Sequence, residues 1–107
     1  MDEKTIDVAF SVYKHEREGL FQASDELKEA KSDLENKKIK VFTEGKIDGS
    51  NDITRKAQYA ELTTREQSNI EVKERDYALA QLAYDLASYE VRRVELLVQF
   101  ISISKGE

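Results

Sequence analysis

Ile6, Tyr13, Leu20, Leu27, Leu34 and Val41 follow one another at intervals of seven residues without a break. An apolar residue at every seventh position returns to the same side of an α-helix every two turns. The run is therefore one seam of a coiled-coil-like helix, sustained for about five heptads. The chain contains no Pro, so nothing interrupts the run by removing an amide donor. Ala9, Ala23 and Ala30 lie three residues after members of the seam and form a smaller companion row, broken by Glu16 and Lys37. A large row beside a small one allows closer antiparallel helix packing than a Leu-only seam. The residues between the rows, such as Lys28-Glu29 and Lys31-Ser32-Asp33, are polar and make a solvated face. A first helix is expected over residues 5–43, roughly 60 Å at about 1.5 Å per residue. Gly19 inside it costs about 1 kcal/mol relative to Ala and is read as the mark of a close helix contact.

The segment Glu44-Gly45-Lys46-Ile47-Asp48-Gly49-Ser50-Asn51-Asp52 gathers turn chemistry found nowhere else in the chain. Gly45 suits the left-handed residue after a helix end, and Ser50, Asn51 or Asp52 can accept hydrogen bonds from the free amides of the next helix. The chain is expected to reverse over 44–52, and a second helix to run over 53–102. Such a short connection favours antiparallel neighbours. The fold class is then all-α: one domain over residues 1–107, built as an αα-hairpin of two long antiparallel helices.

The second helix changes character along its length. Its first half is thinly apolar, with Ile53, Ala57 and Ala60 among many charges. From Tyr77 onward, Tyr77, Tyr84, Val91 and Val98 make one seven-residue row, Leu82, Tyr89, Leu96 and Ile103 make another, and Leu79, Leu86, Val94 and Ile101 fill in between. One partner helix covers only a narrow seam, so this half needs further neighbours. In a hairpin it lies beside Ile6, Val8, Phe10, Val12 and Tyr13, which are also apolar on more than one side. Self-association into a four-helix bundle is expected there, with Phe10, Tyr13, Leu82, Leu86, Tyr89, Val94, Leu97 and Ile101 at the oligomer interface.

The chemistry of catalysis is missing. His15 is the only His and there is no Cys, so a metal site or nucleophilic triad has too few parts. The turn lacks the Gly and the bidentate Glu of a calcium loop, since Ile53 and Tyr59 stand at those places. No Gly-rich phosphate loop is present, and carboxylates on solvated helix faces have nothing to raise their pKa for acid–base work. No enzyme activity, cofactor or small-molecule substrate is expected. The formal charge of −5 argues against a coat for phosphate backbones. No stretch approaches the roughly 20 apolar residues of a membrane span. Nor does Met1-Asp2-Glu3-Lys4-Thr5 have the apolar core of a secretory leader, and a cytoplasmic protein is expected.

One local feature stands out against the acidic background. Ile47 is an apolar residue at the turn, and Lys46, Arg55 and Lys56 make a small positive cluster, together a candidate tip for binding a partner. Gly45-Lys46-Ile47-Asp48-Gly49-Ser50-Asn51 followed by Arg55-Lys56-Ala57-Gln58 resembles the turn of small helical-hairpin accessory proteins of bacteriophages and prophages. The resemblance implies a protein that acts by contact with host or phage proteins, for instance as an inhibitor of a host or immune protein inside the host cytoplasm. It brings no catalytic residues. The expected function is thus a non-enzymatic protein–protein interaction module, with itself and a second protein as partners. Two alternatives are a nucleic-acid accessory factor using the basic cluster and a structural element of a larger particle.

Overall fold

The computed structural model describes residues 2–106 and is all-α, with no strand among them. Helix α1 spans Glu3–Thr43, α2 spans Asp52–Leu62 and α3 spans Thr64–Gly106. Asp2 starts α1: its carboxylate accepts from the Thr5 amide at 2.8 Å and from the Thr5 hydroxyl at 2.7 Å. Those two bonds hold the Asp2 carboxyl below the usual carboxylate range and occupy an amide that would otherwise have no partner. At the other end Gly45 takes φ 73°. Its amide donates to the Phe42 carbonyl at 3.0 Å while the Lys46 amide donates to that of Val41 at 2.9 Å, the paired bonds of a left-handed helix stop. Asn51 is the residue that caps α2, its side-chain oxygen accepting from the Thr54 amide at 2.8 Å.

The second helix is not continuous as the sequence pattern suggests. It is interrupted at Thr63, where φ is −116° and ψ 19°, and it then extends to Gly106 rather than stopping at 102. The cause lies in two adjacent threonines. The Thr63 hydroxyl donates to the Tyr59 carbonyl at 2.6 Å, and that of Thr64 to Ala60 and Glu61 at 3.1 and 2.9 Å. Hydroxyls that bond back to the preceding turn compete with the helix amides and bend the backbone. Thr63 is fully buried, and its oxygen also accepts from the Gln67 amide group at 2.8 Å. The break is therefore satisfied polar structure rather than a frayed end.

The chain divides into two compact units, Met1–Ala23 with Tyr77–Glu107, and Ser24–Asp76. In the first, Ala9, Val91 and Val94 are buried together, with Ile6 and Tyr13 packed against them. The rings of Tyr13 and Tyr84 stand 5.5 Å apart, and their hydroxyls are 3.2 Å apart. In the second unit Ala30, Val41 and Thr63 are buried, and Lys73 pairs with Glu26 at 3.8 Å. The small row thus goes inside, as its spacing predicts. Gly19 does not serve a close contact, because a Cβ placed there meets nothing within 4 Å.

Candidate interaction surfaces

The first unit carries far more apolar surface than its core uses. One series on α3 is Tyr77, Ala80, Tyr84, Ala87, Val91, Val94, Val98 and Ile101, at alternating spacings of three and four, and from it Tyr84, Ala87, Val91, Val94 and Val98 meet residues of α1. Offset by two residues runs a second series with the same spacing: Leu79, Leu82, Leu86, Tyr89, Arg93, Leu96, Phe100 and Ile103. Two residues are about 200° of helix, so the second series lies on nearly the opposite side from the first. Its seven apolar members are 49 to 72% exposed. Arg93 alone interrupts it, and its guanidinium grips the Glu90 carboxylate through two bonds, at 2.6 and 3.0 Å. That grip holds the Glu90 carboxyl below its usual range.

On α1 the apolar surplus flanks the core. Val8 and Val12 line a groove with Ala9, Ala87 and Glu90, and Phe10 lines another with Ile6, Val94 and Val98. Further along, Arg17 sits over the Phe21 ring at 5.7 Å.

Of the residues expected at an oligomer interface, Phe10, Leu82, Leu86 and Tyr89 are exposed, and Leu97 and Ile101 are half-buried. Val94 is a correction: it is 1% exposed, enclosed with Ala9 and Val91 inside one chain, and so has no surface to offer a second copy. Tyr13 is also largely spent within the chain, against Tyr84. Missing from the expected set were Leu79, Leu96, Phe100 and Ile103, whose spacing was visible. Only burial separates the inward series from the outward one.

The turn is built from its own side chains. The Gln58 amide oxygen accepts from the backbone of Asp48 and Gly49 at 3.1 and 2.9 Å, while its nitrogen donates to the Asp48 carboxylate at 2.5 Å. Arg55 donates to the Gly49 carbonyl at 3.2 Å and pairs with Asp52 at 2.5 Å. Lys46 pairs with Glu44 at 2.9 Å, which holds that carboxyl below its usual range. Two of the three cations expected to form a positive tip are thus each joined to an acid nearby. Lys56 is exposed without an ion pair among the described residues. Ile47 is half-buried rather than presented at the tip; the exposed apolar residue there is Ile53, at 82%. Arg65 lines an open polar cleft with Lys37 and Lys40 but also with Asp33 and Glu66, so the signs are mixed.

Among the described residues no group of three or more His, Asp or Glu is placed to hold a metal ion, and no helix is long and apolar enough to cross a membrane. Compared with protein-family models, curated proteins and solved structures, the chain matches none.

Proposed function

We propose that this chain is a non-enzymatic protein–protein interaction module, an antiparallel helical hairpin that assembles with a second copy of itself into a four-helix arrangement. The observation that carries this reading is the exposed outward series on α3. Monomeric proteins rarely leave so large a contiguous apolar surface in water. A helix with seams on two nearly opposite sides has the pattern of one that sits between two neighbours. The antiparallel element is supported by the order of contacts in the first unit, where Ile6 and Phe10 share a groove with Val94 and Val98 while Tyr13 meets Tyr84. Complete burial of one large apolar side chain contributes about 1.5–3 kcal/mol. Seven half-exposed ones on each copy are of the size needed to offset the roughly 4–15 kcal/mol cost of association.

The ion pairs at the turn favour contact with protein over phosphate binding, because Lys46 and Arg55 are already matched by Glu44 and Asp52. The test is light scattering behind a sizing column, on the intact chain and on the double variant Leu82→Glu/Leu86→Glu. The intact chain should be a dimer or larger, and the variant a monomer with the same helical content. A monomeric intact chain at tens of micromolar would refute the reading.

A further inference from the structure

The outward series of α3 also specifies how two copies meet. Resting on the self-assembly reading above, we infer that α3 pairs with α3 of a second copy in antiparallel orientation, centred near residue 91, with Arg93 setting the orientation. When two helices run in opposite directions, the numbers of facing residues sum to a constant. A sum of 182 is the one that brings every member of the series onto another member. Leu79 then faces Ile103 of the second copy, Leu82 faces Phe100, Leu86 faces Leu96, and Tyr89 faces Arg93. Each layer occurs twice by the two-fold symmetry. Six of the eight layers join two apolar side chains, all exposed in the single chain. The remaining two set a guanidinium against a tyrosine ring, a pairing that Arg makes favourably.

The competing arrangements are worse. In a parallel pair Arg93 faces Arg93 inside the seam, and Asp85 on one flank meets Glu90 of the second copy on both sides, so like charges meet at three places. Moving the antiparallel register by one heptad in one direction places Arg93 on Leu82 and Arg75 on Phe100. The other direction places Arg93 on Leu96, so both guanidinium layers lose their aromatic partner. The favoured register has like-charge contacts of its own at the two-fold axis, Glu90 with Glu90 and Arg92 with Arg92. The first is offset because each Glu90 is held by the Arg93 of its own chain. A single polar residue in an apolar seam is a known means of selecting orientation at some loss of affinity, and Arg93 occupies that place.

The absence of Cys from the chain makes cross-linking a clean test. In the favoured register, residue 86 lies opposite 96 of the second copy and about 15 Å along the axis from its own counterpart. That distance is well beyond the roughly 7 Å across which a disulfide closes. Leu86→Cys and Leu96→Cys, each alone, should therefore stay unlinked on oxidation. A one-to-one mixture of the two should give a covalent dimer whose disulfide peptide joins 86 to 96. Linking of either single variant with itself would overturn the antiparallel inference while leaving self-assembly standing. A dimer by light scattering that links in no combination would remove the outward series as the contact. A monomer would refute the underlying reading as well. The second variant is Arg93→Leu combined with Leu86→Cys, which should begin to link with itself, because the Arg93–Arg93 contact inside the parallel seam is gone and only the flanking Asp85–Glu90 contacts still oppose that form. If that double variant stays unlinked with itself while still linking to Leu96→Cys, Arg93 does not set the orientation, and the role assigned to it is wrong.

Discussion

Replacing Gly19 by Ala and replacing Gly49 by Ala each add one methyl group, yet the two should move stability in opposite directions. Gly19 lies inside α1, and the new Cβ meets nothing within 4 Å. What remains is the backbone freedom that Gly surrenders on folding, so Gly19→Ala should gain about 0.5–1 kcal/mol. At Gly49 the Cβ falls 2.8 Å from Thr54 Cγ2 and 2.9 Å from the Arg55 amide nitrogen. Neither neighbour can retreat freely, because Thr54 is held by Asn51 through both its amide and its hydroxyl, and the Arg55 amide donates to the Asn51 carbonyl at 3.0 Å. Relieving the clash breaks the α2 cap and pulls the Gly49 amide from Gln58, at about 1 kcal/mol for each. At about 4–8 °C per kcal/mol for a domain near this size, Gly19→Ala should raise Tm by a few degrees. Gly49→Ala should lower it by roughly 10 °C on the same scale. The assay is thermal unfolding by far-UV circular dichroism at one fixed protein concentration, since association itself shifts Tm. A lower Tm for Gly19→Ala, or an unchanged one for Gly49→Ala, would refute the packing argument at that position.

Four further predictions separate what holds one chain together from what joins two. Val94→Ala should cost about 2 kcal/mol in denaturant unfolding, because it opens a cavity beside Ala9 and Val91. Leu82→Ala should instead weaken association in a dilution series, with less effect on the single chain. Asn51→Ala should cost about 1 kcal/mol through the lost α2 cap, and Asn51→Asp should restore most of it. The Tyr13 phenol is raised above its ordinary value, first by its hydrogen bond to Tyr84 and then by repulsion from that neighbour. Because the folded value is the higher one, its stabilisation is fully present below the ordinary Tyr range near pH 10 and is lost as pH rises through the raised value. Unfolding measured from neutral pH to about pH 11 should show that loss in the intact chain and a shallower one in Tyr13→Phe.

Helix content, the stop at Gly45 and the cap near Asn51 are legible in the sequence. All three depend on spacing or on residues within one turn of each other. The break at Thr63 is not, although Thr63-Thr64 stands plainly in the chain. Whether a hydroxyl bonds back to the preceding turn depends on what buries it, and here Thr63 is enclosed and Gln67 reaches it. The same limit applied at the turn. Lys46, Arg55 and Lys56 read as one positive cluster although Glu44 and Asp52 stand two and three residues away, because spacing alone does not say which neighbouring charges close into pairs. The fold joined Lys46 to Glu44 and Arg55 to Asp52, leaving Lys56 unpaired among the described residues.

By itself the sequence determined that these residues form helices, where α1 ends and α2 begins, and that the stretch from Tyr77 onward carries more apolar surface than one partner helix can cover. Periodicity carries that much because it is a property of each helix alone. Which of the two interleaved series on α3 faces inward was decided only by tertiary packing. Both series repeat at three and four residues, so no local signal ranks them. The choice falls to the partner: Ala9 of α1 is buried with Val91 and Val94, Tyr13 takes Tyr84, and the larger leucines are left outside.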